Sequence, residues 1–274
     1  MVEYVQANGL NFALERRGSG EAVLFLGGTG WDLRDRPNPL DSQLGRHFNV
    51  YLFDQRGMGR SDKPETDYTM ADYAEDAAAI MDAVGLETAH VIGYSFGGMV
   101  AQELAIRYPE KIHRLVLAAT TSGGAGGASY PIHELQDLPP EEKARKSIEA
   151  MDRSFTPQWQ ADNPERAARM IRERMLLQNR RASDAALEAG KRRQLAARAQ
   201  HDCYDRLNRI TAPTLVLAGD RDGQAPVERV RNLATAIKGA RMEIVPGAHG
   251  FLGETPQAYE LMTAFLGEAS VEHL

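Results

Sequence analysis

Val91-Ile92-Gly93-Tyr94-Ser95-Phe96-Gly97-Gly98 sets a serine between glycines where an apolar run meets an amphipathic one. Ala89 to Ile92 reads as a short buried strand, and Met99 to Tyr108 carries a helical apolar pattern that stops before Pro109. Ser95 therefore falls on a sharp strand-to-helix turn, which strains its backbone and pushes its hydroxyl into the open. Gly93 and Gly97 have a steric reason to be glycine: a side chain at either would meet the neighbouring strand or the helix as the chain doubles back. The plainer reading of a bare G-x-S-x-G is a glycine-rich turn with an incidental serine. The strand before it and the helix after it favour a nucleophile.

On either side of this turn the chain alternates strand and helix. Val23 to Leu26, Val50 to Phe53, Ala89 to Ile92, Leu115 to Ala118, Thr214 to Leu217 and Met242 to Val245 are short apolar runs of the kind a parallel sheet buries on both faces. Thr69 to Val84 is a helix, with Thr69 and Asp72 resembling a capping box and Gly85 ending it. With a hairpin from Glu3 to Glu15 turning at Asn8-Gly9, the runs predict an α/β fold. Its sheet is doubly wound, mostly parallel and eight-stranded, and binds ligands beyond the carboxyl ends of the strands. The alternation fails from Ser122 to about Leu207, where helical signals, including a start at Asn163-Pro164, come without a convincing strand. Residues 1–123 and 208–274 are expected to form the core domain, and 124–207 a helical cap inserted into it. The glycine run that opens the insertion is read as a flexible entry, with an ordered turn as the alternative.

A chain of 274 residues, 43% hydrophobic, can bury one large core. Met1-Val2-Glu3-Tyr4 has neither a basic start nor an export core, and no apolar run approaches a membrane span, so a cytoplasmic protein without membrane partners is expected. Cys203, the single cysteine, cannot form an internal disulfide and has no Cys/His companions spaced for zinc. It reads as a packing residue, and no metal or cofactor is expected. The net charge of −6 argues against a nucleic-acid partner. Charge is uneven, however: Glu141 to Arg209 holds 16 Lys/Arg against 11 Asp/Glu. That surplus could draw an anionic substrate, although solvated faces of surface helices are the plainer reading. The oligomeric state, including a homo-oligomer, is left open.

A serine hydroxyl needs a base within hydrogen-bond reach, and the base needs an acceptor to fix its tautomer. His249 follows the last apolar run on a glycine-flanked loop, whereas His47, His90 and His113 precede strands, His133 and His201 belong to the insertion, and His273 to the tail. The loop after Thr214 to Leu217 offers two acids. Asp222 is preferred because it lies where the chain can bend back toward the histidine; Asp220, nearer the strand end, could satisfy loop amides. Backbone N–H groups of Phe96, at the start of a helix, and Thr29, in Gly27-Gly28-Thr29-Gly30-Trp31, are predicted to stabilise an oxyanion. A phosphate-binding reading of that glycine loop fails for want of the G-x-x-x-x-G-K-[ST] spacing. Gly28, Trp31 and Phe251 flank the presumed centre and are candidates for contacting substrate, with core packing as the bland alternative. Met151, Phe155, Trp159 and Met175 are candidates from the insertion.

From about residue 3 to 268 the chain resembles the α/β-hydrolase superfamily, in its esterase, enol-lactonase and polyester-depolymerase-like group. Three features carry the resemblance: Gly93-Tyr94-Ser95-Phe96-Gly97, the order Ser95, Asp222, His249, and Asp54-Gln55-Arg56-Gly57-Met58-Gly59-Arg60-Ser61. The resemblance implies that the catalytic acid lies four residues before a proline, as Asp222 does before Pro226, and that the Asp54 to Ser61 turn braces the sheet. One departure is Gly27-Gly28, where the family often has His-Gly, so the Thr29 amide is carried over by position alone. The implied activity is hydrolysis of carboxylic esters or lactones through an acyl-enzyme. Dehalogenases and epoxide hydrolases of this fold use an aspartate nucleophile. Diketone hydrolases commonly have asparagine before the serine and tryptophan after the histidine, where this chain has Tyr94 and Gly250. A cofactor-free perhydrolase and a ligand receptor on the same scaffold are the remaining alternatives.

Overall fold

The computed structural model describes residues 2–180 and 182–268. Strands β1 (Glu3–Ala7), β2 (Leu10–Arg17), β3 (Ala22–Leu26), β4 (Asn49–Phe53), β5 (Ala89–Tyr94), β6 (Ile112–Ala118), β7 (Thr214–Gly219) and β8 (Arg241–Val245) form one sheet in the order β1-β2-β4-β3-β5-β6-β7-β8. β2 is antiparallel to β1 and β4; the other neighbours are parallel. Asn8 and Gly9, both at positive φ, close the hairpin with a turn that follows the strand twist. The helices among the described residues are α1 (Met70–Ala83), α2 (Phe96–Arg107), α3 (Pro140–Met151), α4 (Pro157–Asp162), α5 (Pro164–Asn179), α6 (Ala185–Ala199), α7 (Val227–Ala236), α8 (Phe251–Glu254) and α9 (Pro256–Leu266).

Both sheet faces are covered, which is why the inner strands are apolar throughout. Along β3, Leu24 and Leu26 join a core built with α1, α2 and α7, while Val23 and Phe25 join a second core with α9. Each fully buried side chain of this size stabilises the fold by about 1.5–3 kcal/mol. α1 starts as its sequence predicts: the Thr69 hydroxyl accepts from Asp72 N–H at 3.1 Å, and the Asp72 carboxylate accepts from Thr69 N–H at 2.8 Å. β8, at the sheet edge, exposes Arg241 and Glu243, charges that discourage pairing with another strand.

β3 has β4 on one side and β5 on the other, so the winding reverses between β3 and β5. That opens a crevice at their carboxyl ends. Above it lies the segment between β6 and β7, whose described residues include α3 to α6 and no strand. α3 to α5 share a small core of Ala144, Ile148, Phe155, Ala167 and Ile171. One local expectation is settled toward its alternative, and the helix start at Asn163-Pro164 holds. The glycine run is an ordered 3-10 turn at Gly124–Gly126, held by Asn232 donating to the Gly126 carbonyl at 3.1 Å. Asn163 precedes α5 but donates its side chain to the Trp159 carbonyl, leaving Pro164, with its fixed φ, to start the helix.

Candidate active site

Ser95 stands between β5 and α2 with φ 55° and ψ −116°, a sparsely populated backbone conformation for a residue with a side chain. Its own N–H donates to the Ala118 carbonyl at 2.8 Å, and its carbonyl accepts from Gly98 N–H at 2.9 Å. A Cβ on Gly93 would lie 2.5 Å from the Gly97 carbonyl oxygen, and one on Gly97 only 2.0 Å from the Leu26 carbonyl oxygen. The tight turn thus depends on both glycines, as its sequence implies.

Two loops at the same sheet edge converge on that hydroxyl. The Ser95 Oγ lies 2.9 Å from His249 Nε2, and His249 Nδ1 lies 2.8 and 3.0 Å from the two Asp222 carboxylate oxygens. A carboxylate at Nδ1 requires the proton there, which leaves Nε2 as the acceptor facing serine. Asp222 is itself oriented by the N–H groups of Gln224 and Ala225, at 2.8 and 2.9 Å. Asp220 points elsewhere, accepting from Gly247 N–H at 2.8 Å, the loop-bracing task its position suggested.

The loop after β3 completes the ring of groups. A Cβ on Gly28 would come within 3.4 Å of the Ser95 Cβ, so this loop lies directly against the turn. Among the described residues, no acceptor is recorded for the N–H of Thr29 or of Phe96, whereas the next amide, Gly30 N–H, donates to Gln194 at 2.8 Å. Gln55 donates to the Gly27 carbonyl at 2.9 Å and fixes the loop from below. Asp54, one residue earlier, binds Leu33 and Arg60 N–H at 2.6 and 2.8 Å; burial pushes its carboxyl up to about 6, against the pull of those two amides. Arg56 pairs with Asp76 through Nε and Nη2.

Residues 22–256 match a family profile described as alpha/beta hydrolase fold. The chain belongs to the α/β-hydrolase family. It is 30% identical over 252 residues to a Caulobacter sp. (strain K31) protein named "Putative carbamate hydrolase RutD", covering 89% of each chain. It is 27% identical over 254 residues to 3-oxoadipate enol-lactonase 2 of Acinetobacter baylyi, covering 91% of this chain and 90% of that one. Among solved structures, a hydrolase from Pseudomonas aeruginosa PA01 superposes with a TM-score of 0.76 at 28% identity, over 97% of this chain and 98% of the other. An enol-lactonase from Burkholderia xenovorans LB400, at 23% identity and a TM-score of 0.77 over 97% and 100%, shares the fold. Hydrolytic chemistry is the activity these likenesses support.

In this α/β-hydrolase a cavity of roughly 500 Å³ opens over Ser95 and His249, roofed by α3, α5 and α6. Gly28 and Trp31 line it, and so does Met151. Phe251 does not: it is fully buried in the core beneath, its ring against the position a Gly219 side chain would take. Phe96 likewise turns its ring into the core, edge-on to Tyr73 at 4.9 Å, and its side chain does not line the cavity. Phe155 belongs to the small core of the insertion, and Trp159 and Met175 pack against that core.

Several groups escaped sequence reasoning. The Tyr94 hydroxyl donates to the His249 carbonyl at 2.6 Å, the Met151 carbonyl accepts from His249 N–H at 2.9 Å, and Gln194 reaches Gly30 across 164 residues of chain. Tyr94 had a signal in its place beside the serine, and Met151 was a candidate for contacting substrate, though not for this carbonyl contact. His90 and His113 stack on each other near Glu21 at the opposite sheet edge; this trio and Glu103, His201 and Cys203 are the clusters among the described residues with side chains close enough to share an ion. Neither lies on the cavity. His273 lies outside the described residues. No helix among them is long and apolar enough to cross a membrane.

Proposed function

We propose that this α/β-hydrolase is a serine hydrolase of carboxylic esters or lactones, working through an acyl-enzyme on a triad of Ser95, His249 and Asp222. The observation that carries the reading is the continuous line from the Ser95 Oγ through His249 to Asp222, at 2.9 and 2.8 Å, opening on a cavity of small-molecule size. His249 Nε2 takes the serine proton as Oγ attacks the carbonyl carbon, and the proton passes to the departing alkoxide as the carbon–oxygen bond breaks. Asp222 holds the ring and stabilises its transient positive charge. The N–H groups of Thr29 and Phe96 receive the oxyanion, an arrangement in which one donor is typically worth about 100- to 1,000-fold in rate. Water, deprotonated by the same imidazole, then releases the acid. No group beyond these side chains and amides is called on.

The cap role of residues 124–207 belongs to the same proposal: the insertion closes the cavity from above and supports His249 through the Met151 carbonyl. A small-molecule ester or lactone is the partner, with turnover in the cytoplasm. An activated p-nitrophenyl ester tests the chemistry. A burst equivalent to one acyl group per chain, followed by steady turnover that Ser95→Ala abolishes, is the expected result. Tight binding with no turnover would instead mark a receptor. A panel of esters, lactones, carbamates and diketones then ranks the carbonyl, carbamates being included because relatives are named for them.

A further inference from the structure

Every acid on the cavity wall has a basic partner, and among the described residues two of its cations, Arg174 and Lys143, make no ion pair. Asp35 pairs with Arg180 at 2.7 Å, Glu188 lies 3.9 Å from Lys191, and Asp32 is gripped by Arg34. Arg174, on α5, differs. Its Nε and Nη2 both donate to one neutral acceptor, the buried hydroxyl of Ser147, at 3.0 and 2.7 Å. Among the described residues no ion pair to it is recorded, and a guanidinium carries five N–H donors, so three remain to be used. Lys143, also on the wall, spends its ammonium on Gln136 alone, at 3.1 and 3.3 Å.

We infer that the cavity is built for an anionic substrate, a carboxylate-bearing ester or lactone whose charged end seats on Arg174 with Lys143 in support. A guanidinium stays charged in a protein, and holding one partly out of water without a counter-ion is costly, so a planar carboxylate that meets its free N–H fork relieves that cost on binding. Burial lowers Arg174 from its ordinary value with no acid to offset it, and burial, followed by the charges of Lys191 and Arg192, lowers Lys143 against the opposing pull of Glu188 and Asp137. The surplus of Lys and Arg between Glu141 and Arg209 has the sign to draw such a substrate toward the mouth. Ser147, 7% exposed, acts as the brace that fixes the fork in place. The inference rests on the esterase reading for the reacting end of the molecule and adds what the far end must be.

A matched pair of substrates tests it: the mono-p-nitrophenyl ester of glutaric acid, and the same ester with its free carboxyl methylated. The wild-type protein should favour the free acid in kcat/KM by about 30-fold or more, with Arg174→Gln bringing the ratio to about one and Arg174→Lys keeping part of it. A ratio near one in the wild type, or one that Arg174→Gln leaves in place, overturns the inference. Calorimetric titration of Ser95→Ala with glutarate separates this from the esterase reading. Binding that Arg174→Gln, added to Ser95→Ala, weakens about 30-fold supports the anion site even if neither ester turns over. Binding indifferent to Arg174 sinks it even if both do.

Discussion

At the carboxyl ends of the strands, His249 stands 2.9 Å from a serine oxygen and 2.8 Å from a carboxylate; beside α2, His201 stands 3.7 Å from the Cys203 sulfur, with Glu103 close by. The two clusters hold the same kinds of group, and all six side chains are buried. They differ in what the acid does. Asp222 spends its oxygens on the imidazole and two loop amides, whereas Glu103 is claimed by Arg206 and Arg107. Burial pushes the Glu103 carboxyl up, but those guanidinium groups hold it below its usual range. With its acid committed, His201 is driven by burial down to about 4, and burial raises the Cys203 thiol well above its ordinary value. A neutral thiol beside a neutral imidazole, away from the cavity, is packing. Residue types alone do not make the proposed catalytic centre; an acid free to hold the imidazole, an in-line histidine and access to a cavity are what set it apart.

The largest expected effect separates the two clusters outright. Ser95→Ala should lower kcat for ester hydrolysis by about 10,000-fold or more, while Cys203→Ala stays within about twofold. A serious loss from the cysteine variant, with its fold intact by circular dichroism, would erase the distinction. Next, Asp222→Asn should cost about 1,000- to 10,000-fold by leaving the imidazole in the wrong tautomer. Asp220→Asn, whose carboxylate binds the Gly247 amide and lies 3.5 Å from Arg221, should cost less than about tenfold, and the opposite ranking would exchange the two roles.

The third difference is one of stability against pH. Because His201 is held near 4 when folded and titrates near 6.5 when unfolded, the unfolded chain binds the extra proton between those values. Stability present above pH 6.5 is therefore lost as pH falls toward 4, to the extent of about 3 kcal/mol from this group. His201→Gln should flatten the slope of urea-unfolding free energy over that window, and a slope equal to wild type would contradict the burial argument. The smallest effect concerns the tyrosine tether on the His249 backbone. Tyr94→Phe removes a 2.6 Å hydrogen bond to the His249 carbonyl, worth about 1 kcal/mol, and should lower kcat about fivefold with little change in KM.

Much of the architecture was readable along the chain, because the period of apolar residues is a local property. Runs such as Val23 to Leu26 alternate between two cores, and Thr69 with Asp72 caps a helix within one turn. The tight turn at Ser95 was legible for the same reason: Gly93 and Gly97 answer to clashes within a few residues or with the adjacent strand. What escaped depends on distant parts meeting. Phe251 sits close to His249 in sequence yet points into the core, and Gln194 and Met151 support loops from which they are widely separated in the chain.

Sequence by itself therefore determined the sheet, the turn that bears Ser95 and the short list of partners for it, since each follows from spacing, backbone sterics and the order of loops at one sheet edge. Sequence position already favoured Asp222 over Asp220; only the folded molecule decided how closely it meets the imidazole, that Glu103 is occupied by arginines, and that Arg174 lines the cavity with no ion pair among the described residues. Those outcomes are set by which side chains approach within a few ångströms after packing, and that depends on pairings between segments that no local pattern records.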